Sequence, residues 1–363
     1  MSRLVASLLS LLAIFALVLV PSSPSAASEG AAGAVYTLTN AATGNAVIAY
    51  DRSASGTLTW SGTFATGGLG SGAGLGSQGA VVLSGNGRWL YAVDAGSNDI
   101  AAFRVTKGGL VLTDRIGSGG TQPISLTTDG DVVYVVNAGS LNIAGFRAHN
   151  GDLTAIPGSI RALGGSGPAQ IEFAPNGHAL VVTEKATSTI DVFKVEHGVA
   201  GAATSYPSSG STPFGFAFGR HDDLVVSEAA GAPAGLSAAS SYELGKDGTL
   251  VPVSESIPTT QAAACWVVVT ENGRYGFTAN AASDSISTFA IDKDGALTLV
   301  FAQAAHATGA HTTDMAISRG SRFLYANDGG THSISAFRVG SDGSLVRMAG
   351  VAVPAGIQGL AAR

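Results

Sequence analysis

From residue 35 onward the chain repeats one arrangement of apolar and polar positions. A short apolar run ends in Asp, Asn or Glu, a polar loop follows, and a second run alternates and closes on an aromatic. The unit reads LYAVDAGSNDIAAF at 90–103, VYVVNAGSLNIAGF at 133–146, LVVTEKATSTIDVF at 180–193, GFTANAASDSISTF at 276–289 and LYANDGGTHSISAF at 324–337. Residues 35–50 carry the same unit with one extra loop residue, and 224–242 carry it with a longer loop. Alternation with period two is the mark of strands that bury one face.

The closing aromatics fall at Tyr50, Phe103, Phe146, Phe193, Tyr242, Phe289 and Phe337, so successive units are 43 to 53 residues apart. A period of that size belongs to propeller blades. Asn-Gly or Asp-Gly pairs recur between the runs, beginning at Asn86, Asp129, Asn150, Asn176, Asp247, Asn272, Asp294 and Asp342. Such pairs accept the positive φ angles of tight hairpins, so each unit is expected to be a four-stranded antiparallel meander.

Six units are preceded by another short apolar strand, as in QGAVVLS, QPISLTT, PAQIEFA, PFGFAFG, CWVVVT and DMAIS, whereas the first begins directly at its second strand. The missing strand is expected at 357–361, IQGLA, near the C-terminus. The sequence therefore predicts an all-β, seven-bladed β-propeller over residues 28–363, closed by the C-terminal strand pairing into the first blade. Closure hides a sheet edge that would otherwise recruit other chains.

Gly74, Gly76 and Gly79 match the G-x-G-x-x-G spacing of a dinucleotide loop. That motif works by pointing a helix N-terminus at phosphate, and here a hairpin follows instead. The stretch 67–79 is therefore expected to be a lengthened crossing between the first two blades, lying over the channel mouth.

Composition narrows the function. The 363 residues are 45% hydrophobic and 12% charged, with a formal charge of −6, which disfavours nucleic acid as a partner. Residues 1–27 read as a signal peptide, with Arg3, an apolar run from Leu4 to Val20, and small residues at Ser25, Ala26 and Ala27. A secreted or periplasmic monomer is expected, touching membrane only through that leader. The one cysteine, Cys265, cannot form an internal disulfide, and no metal or cofactor site is expected.

Candidate chemistry sits where the loops of one propeller face converge. The polar residues that end the second strands are Asn40, Asp94, Asn137, Glu184, Glu228, Asn280 and Asp328, and the inner-strand starts include Gln78, Gln122 and Gln170. Most of the Asn and Asp side chains are expected to brace their loops. Glu184 and Glu228 are poorer loop formers, so one of them with a raised pKa would suit a general base. Glu184 and Gln170 are the catalytic candidates, while Lys185, Glu228, Asp94, Asn137, Asn280, Asp328, Gln78 and Gln122 are candidates for ligand contact.

The repeated units, with PAQIEFAPNG before LVVTEK and later CWVVVTENGRYGFTANAASDSIS, resemble the seven-bladed lactonase propellers over essentially the whole mature chain. That family includes bacterial 6-phosphogluconolactonases and fungal carboxymuconate-cyclizing enzymes. The resemblance implies the fold and a lactone-opening activity. It also implies an Arg-His pair where this chain has Ala169-Gln170, a glutamate matched by Glu184, and an arginine where Ala281 stands. Without the arginines a phosphate group loses its expected partners. The expected function is hydrolysis of a lactone or sugar-derived ester with a carboxylate base, Gln170 and funnel amides stabilising the oxyanion. The alternative is a non-catalytic propeller that binds a small molecule, glycan or protein at the cell surface.

Overall fold

The computed structural model describes residues 31–220 and 222–363; the expected leader lies outside the described residues. The chain forms seven antiparallel sheets arranged around an axis. From the axis outward, the first blade contains Gln358–Ala362, Gly33–Leu38, Ala46–Arg52 and Leu58–Ala65. The inner strands of blades two to seven are Val81–Leu83, Pro123–Asp129, Pro168–Phe173, Pro213–Phe218, Ala264–Val269 and Thr312–Ile317.

The C-terminal strand closes the ring as the sequence predicts, shifted one residue onward. Val35 pairs with Ala362, Tyr36 with Ala361 and Leu38 with Gln358. Thr37 donates its hydroxyl to the Gly359 carbonyl at 2.7 Å, and Arg52 donates two guanidinium bonds to the Arg363 carbonyl at 3.1 and 3.2 Å. Each end of the chain thus supplies backbone partners that the other end needs.

The seven repeating aromatics are all buried between blades. The glycines of the eight Asn-Gly and Asp-Gly pairs between the runs have positive φ, which spares the turns the steric penalty of a Cβ. Two details depart from the simple repeat. Blade three has its outer strand in two pieces, Asp152–Ala155 and Arg161–Ala162, separated by Pro157, whose ring removes a ladder donor. In blade one the register makes Thr39 the counterpart of Asp94, because Val35 pairs with Tyr50 as Leu90 pairs with Phe103. Asn40 lies one place further along, in the left-handed region at φ 48°.

Candidate functional site

The polar residues that end the second strands do not converge on a shared cavity. Asp94 and Asn137 fasten the crossing loop that enters their own blade, Asn40 holds the crossing that leaves blade one, and Asn280 and Asp328 bond to strand residues of their own blades. Asp94 accepts from Thr66 at 2.6 Å and from Asn45 at 2.9 Å. Asn137 donates to the Ser118 carbonyl at 3.2 Å. Asn280 donates to Ser287 at 2.8 Å and Ser285 at 3.2 Å, and Asp328 accepts from Thr312 at 2.9 Å and from Ser335.

The two glutamates behave alike. Glu184 is fully buried and accepts from Thr189 at 2.7 Å, with the loop at Gly165 packed so closely that a Cβ there would stand 2.1 Å from its Oε2. Burial, with Asp191 nearby, holds its carboxyl above the usual range. Glu228 accepts from the Gly210 amide at 2.8 Å, from Ser256 at 2.6 Å and from Ser240. Each carboxylate is bonded within its own blade and the loop that enters it. The expectation that they meet at one mouth is corrected by the side of the strand each occupies.

The expected upper mouth is spanned by the glycine-rich crossing. Leu75 donates its amide to Gln358 of blade one at 3.0 Å, and Ser77 donates to the Ile124 carbonyl of blade three at 2.8 Å. The Gln78 amide reaches the Ala169 carbonyl of blade four at 3.1 Å. The Gln78 side chain donates to the Val267 carbonyl of blade six at 2.7 Å and accepts from the Val267 amide at 3.0 Å. Trp266 adds a bond from its indole to the Ser77 carbonyl at 3.0 Å. Lys185 donates to the Gly76 carbonyl and stands 4.5 Å from the Phe214 ring centroid, while Phe214 packs on Trp266 at 5.1 Å. Residues 75–78 are thus a strap bonded to four blades. Gln122 is exposed outside it, its amide held by Asn98 at 2.7 Å.

Beneath the strap the axis holds a cavity of about 340 Å³, lined on the inner strands of blades one, two, three, four and seven. Strand register aligns the inner strands residue for residue, because Val82 pairs with Tyr91, Thr127 with Tyr134, Glu172 with Val181 and Ala361 with Tyr36. One level of the channel is therefore Val82, Thr127, Glu172, Ala217, Val268, Ala316 and Ala361. Glu172 is its single ionisable member. Its side chain is partly exposed where it lines the cavity, and the packed inner strands around it desolvate the carboxyl. That desolvation pushes its pKa up to about 8, partly offset by the hydrogen bond from Gln170.

Gln170 donates from Nε2 to Glu172 Oε2 at 2.9 Å and to the Phe216 carbonyl at 2.9 Å, and accepts from the Phe216 amide at 2.7 Å. Both amide hydrogens are committed, so Gln170 orients the acid instead of supplying the free oxyanion donor expected of it. Thr128 has a buried hydroxyl with no hydrogen-bond partner among the described residues, on the strand face opposite Thr127. Thr127 accepts from the Phe173 amide at 3.0 Å, leaving its own hydrogen for the lumen.

A seven-bladed propeller with an acid–amide pair in its channel is the class these observations define. The Lactonase, 7-bladed beta-propeller family matches residues 33–162 and 228–358, and the chain belongs to that family. The unmatched segment between them includes blade four, with both Gln170 and Glu172. No curated protein sequence matches significantly.

Among solved structures, the chain is similar to a putative 6-phosphogluconolactonase from Bacteroides fragilis, with 18% identity and TM-score 0.73, covering 93% of this chain and 100% of that one. It is also similar to a protein from Lactobacillus plantarum, with 16% identity and TM-score 0.75, covering 91% and 99%. The periplasmic gluconolactonase of Pseudomonas aeruginosa aligns with 17% identity and TM-score 0.69, covering 90% and 98%. At these identities the likeness is one of fold.

Proposed function

We propose that this family member hydrolyses a lactone or sugar-derived ester inside its channel, with Glu172 as the base. The observation that carries the reading is the one carboxyl that lines the cavity among the described residues, oriented by Gln170 and desolvated until its pKa lies near working pH, where general acid–base catalysis is most effective. In the reaction, a water oxygen bonds to the lactone carbonyl carbon while its proton passes to Glu172. The Thr127 hydroxyl, which faces blade four on the level of Glu172, donates to the developing oxyanion. Collapse breaks the ring C–O bond, and the same proton moves from Glu172 to the departing oxygen. Water and lactone are consumed, a hydroxy acid is formed, and the base is regenerated.

The reading places this activity outside the cytoplasm. The Arg3, Leu4–Val20 and Ser25–Ala27 pattern supports export, and a periplasmic gluconolactonase of the same fold is consistent with it. The chain is proposed to work as a monomer, with a small molecule as its partner.

A second reading, binding without turnover, is favoured by the closed upper mouth with its Phe214–Trp266 pair. Assay of the purified mature protein against neutral δ-lactones and γ-lactones decides between them. Hydrolysis above the buffer rate, falling about 10²–10⁴-fold in Glu172→Gln, supports catalysis. Saturable binding with no difference in hydrolysis between the two proteins supports the second reading.

A further inference from the structure

We propose that the channel is a blind well whose floor is the 75–78 strap, that ligands enter it from the opposite, lower face, and that it admits uncharged polar molecules while rejecting anions. The proposal builds on the channel site above but does not require that Glu172 be catalytic.

The floor is a built feature. Inner-strand side chains tie three of the seven blades to the next at one level. Ser125 accepts from the Ile171 amide at 3.2 Å, Gln170 from Phe216 at 2.7 Å, and Asp314 from Leu360 at 3.0 Å. The corresponding residue of blade five is Gly215, which has no side chain to offer Val267. The Gln78 side chain fills that place from across the axis, and a Cβ on Gly215 would stand 2.2 Å from Gln78 Oε1. The strap is therefore stitched into the inter-blade hydrogen-bond pattern, and its polar groups are satisfied by the channel wall.

The opening lies at the other end. Along the inner strands exposure rises away from the strap: Gln78, Ala80 and Val81 are buried while Val82 and Leu83 are partly exposed, and the same change occurs between Thr127 and Thr128 and between Ile171 and Glu172. These partly exposed residues lie on the side where the Asn86–Gly87, Asp129–Gly130 and Asn176–Gly177 turns emerge. The lower mouth is thus the solvent-reached one.

The lining sets the ligand class. Its polar side chains are Gln78, Thr127, Thr128, Gln170 and Glu172, with no Lys, Arg or His. A volume of about 340 Å³ falls in the roughly 300–1,000 Å³ range of small-molecule sites. An anion entering it would shed hydration with no cation to replace it, whereas hydroxyl and carbonyl groups find donors and acceptors. A neutral polyhydroxylated ring fits this wall, and its phosphorylated or carboxylated counterpart does not.

Thiol labelling tests access and charge selection without a known substrate. Val82→Cys in a Cys265→Ser background places one thiol in the lumen. Rates with neutral methyl methanethiosulfonate and its anionic sulfonatoethyl analogue are each normalised to the unfolded chain. The expected result is neutral labelling at least tenfold faster than anionic, slowed tenfold or more by Thr128→Trp at the lower mouth, and unchanged within twofold by Gln78→Ala in the strap.

Equal rates for the two reagents would overturn charge selection. Acceleration by Gln78→Ala with no effect of Thr128→Trp would overturn the direction of access, and no labelling of the folded protein would overturn the well itself. Circular dichroism of each variant keeps misfolding apart from blockage. Because Glu172→Gln is expected to leave neutral labelling unchanged, loss of the catalytic reading would not be mistaken for loss of this one.

Discussion

Gln78 and Gly215 are a complementary pair. The missing side chain of one makes room for the amide of the other to bridge Val267 across the propeller axis. A methyl group at 215 would collide with Gln78 Oε1 and the Cys265 carbonyl, the latter at 2.7 Å. Gly215→Ala is therefore expected to destabilise the protein by about 1–3 kcal/mol, the usual range for overpacking a dense core. Chemical denaturation checks it: Gly215→Ala should lower the midpoint and Gly215→Ala/Gln78→Ala should recover part of the loss. No change in the single variant would remove the steric coupling.

Asp94 joins blade two to the loop that enters it. Replacing it with Ala takes one acceptor from the buried Asn45 amide and one from the Thr66 hydroxyl, which keep the Val93 and Asn45 carbonyls, so the combined loss is expected at about 1–3 kcal/mol. The midpoint for Asp94→Ala is expected to fall well below that of Asp94→Asn, which keeps an acceptor. Equal loss in both would mean that charge, not the hydrogen bonds, holds the loop.

Closure has its own test. Removing residues 358–363 strips the inner strand from blade one, frees the edge of Gly33–Leu38, and takes the Gln358 anchor from Leu75 and the Leu360 amide from Asp314. An exposed edge of that kind pairs with other chains. The truncated protein is expected to aggregate on expression, whereas Arg363→Ala, which keeps the backbone carbonyl, should unfold near the wild-type midpoint. A soluble, cooperatively folded truncation would show that the ring closes without its C-terminal strand.

A buried acid whose pKa is raised on folding weakens the fold as pH rises. For Glu172, folding favours the protonated form, so its contribution to stability declines from the ordinary carboxylate range up to about pH 8 and then levels. Glu172→Gln removes that dependence. Its unfolding midpoint relative to wild type is expected to climb between pH 5 and pH 8 and stay flat above. A constant offset across that range would mean that Glu172 titrates normally.

Much of the fold was legible because a propeller repeats its chemistry. The seven buried aromatics, the turn glycines and the absent first inner strand each reported one feature of the ring, and the closing strand was misplaced by a single residue. The candidate site was less legible, for a geometric reason: Glu184 ends a strand, and whether it faces the axis or its own blade depends on twist and on how closely the 164–167 loop packs. The strap's function as a floor depended on Gly215, more than 130 residues away from Gln78 in sequence. Glu172 did leave a signal. Aligning QIEF with AVVL, SLTT, GFAF, WVVV, DMAI and GLAA shows one acid in a column otherwise filled by Val, Thr and Ala. Reading that column as channel-facing required the strand register.

The most direct measurement is the pH dependence of kcat/KM for lactone hydrolysis by wild type and Glu172→Gln, with Glu184→Gln alongside. Wild type and Glu184→Gln are expected to rise through a single ionisation near pH 8 and plateau, while Glu172→Gln is flat and at least about 100-fold slower. A Glu172→Gln profile that matches wild type in height and shape would contradict the account.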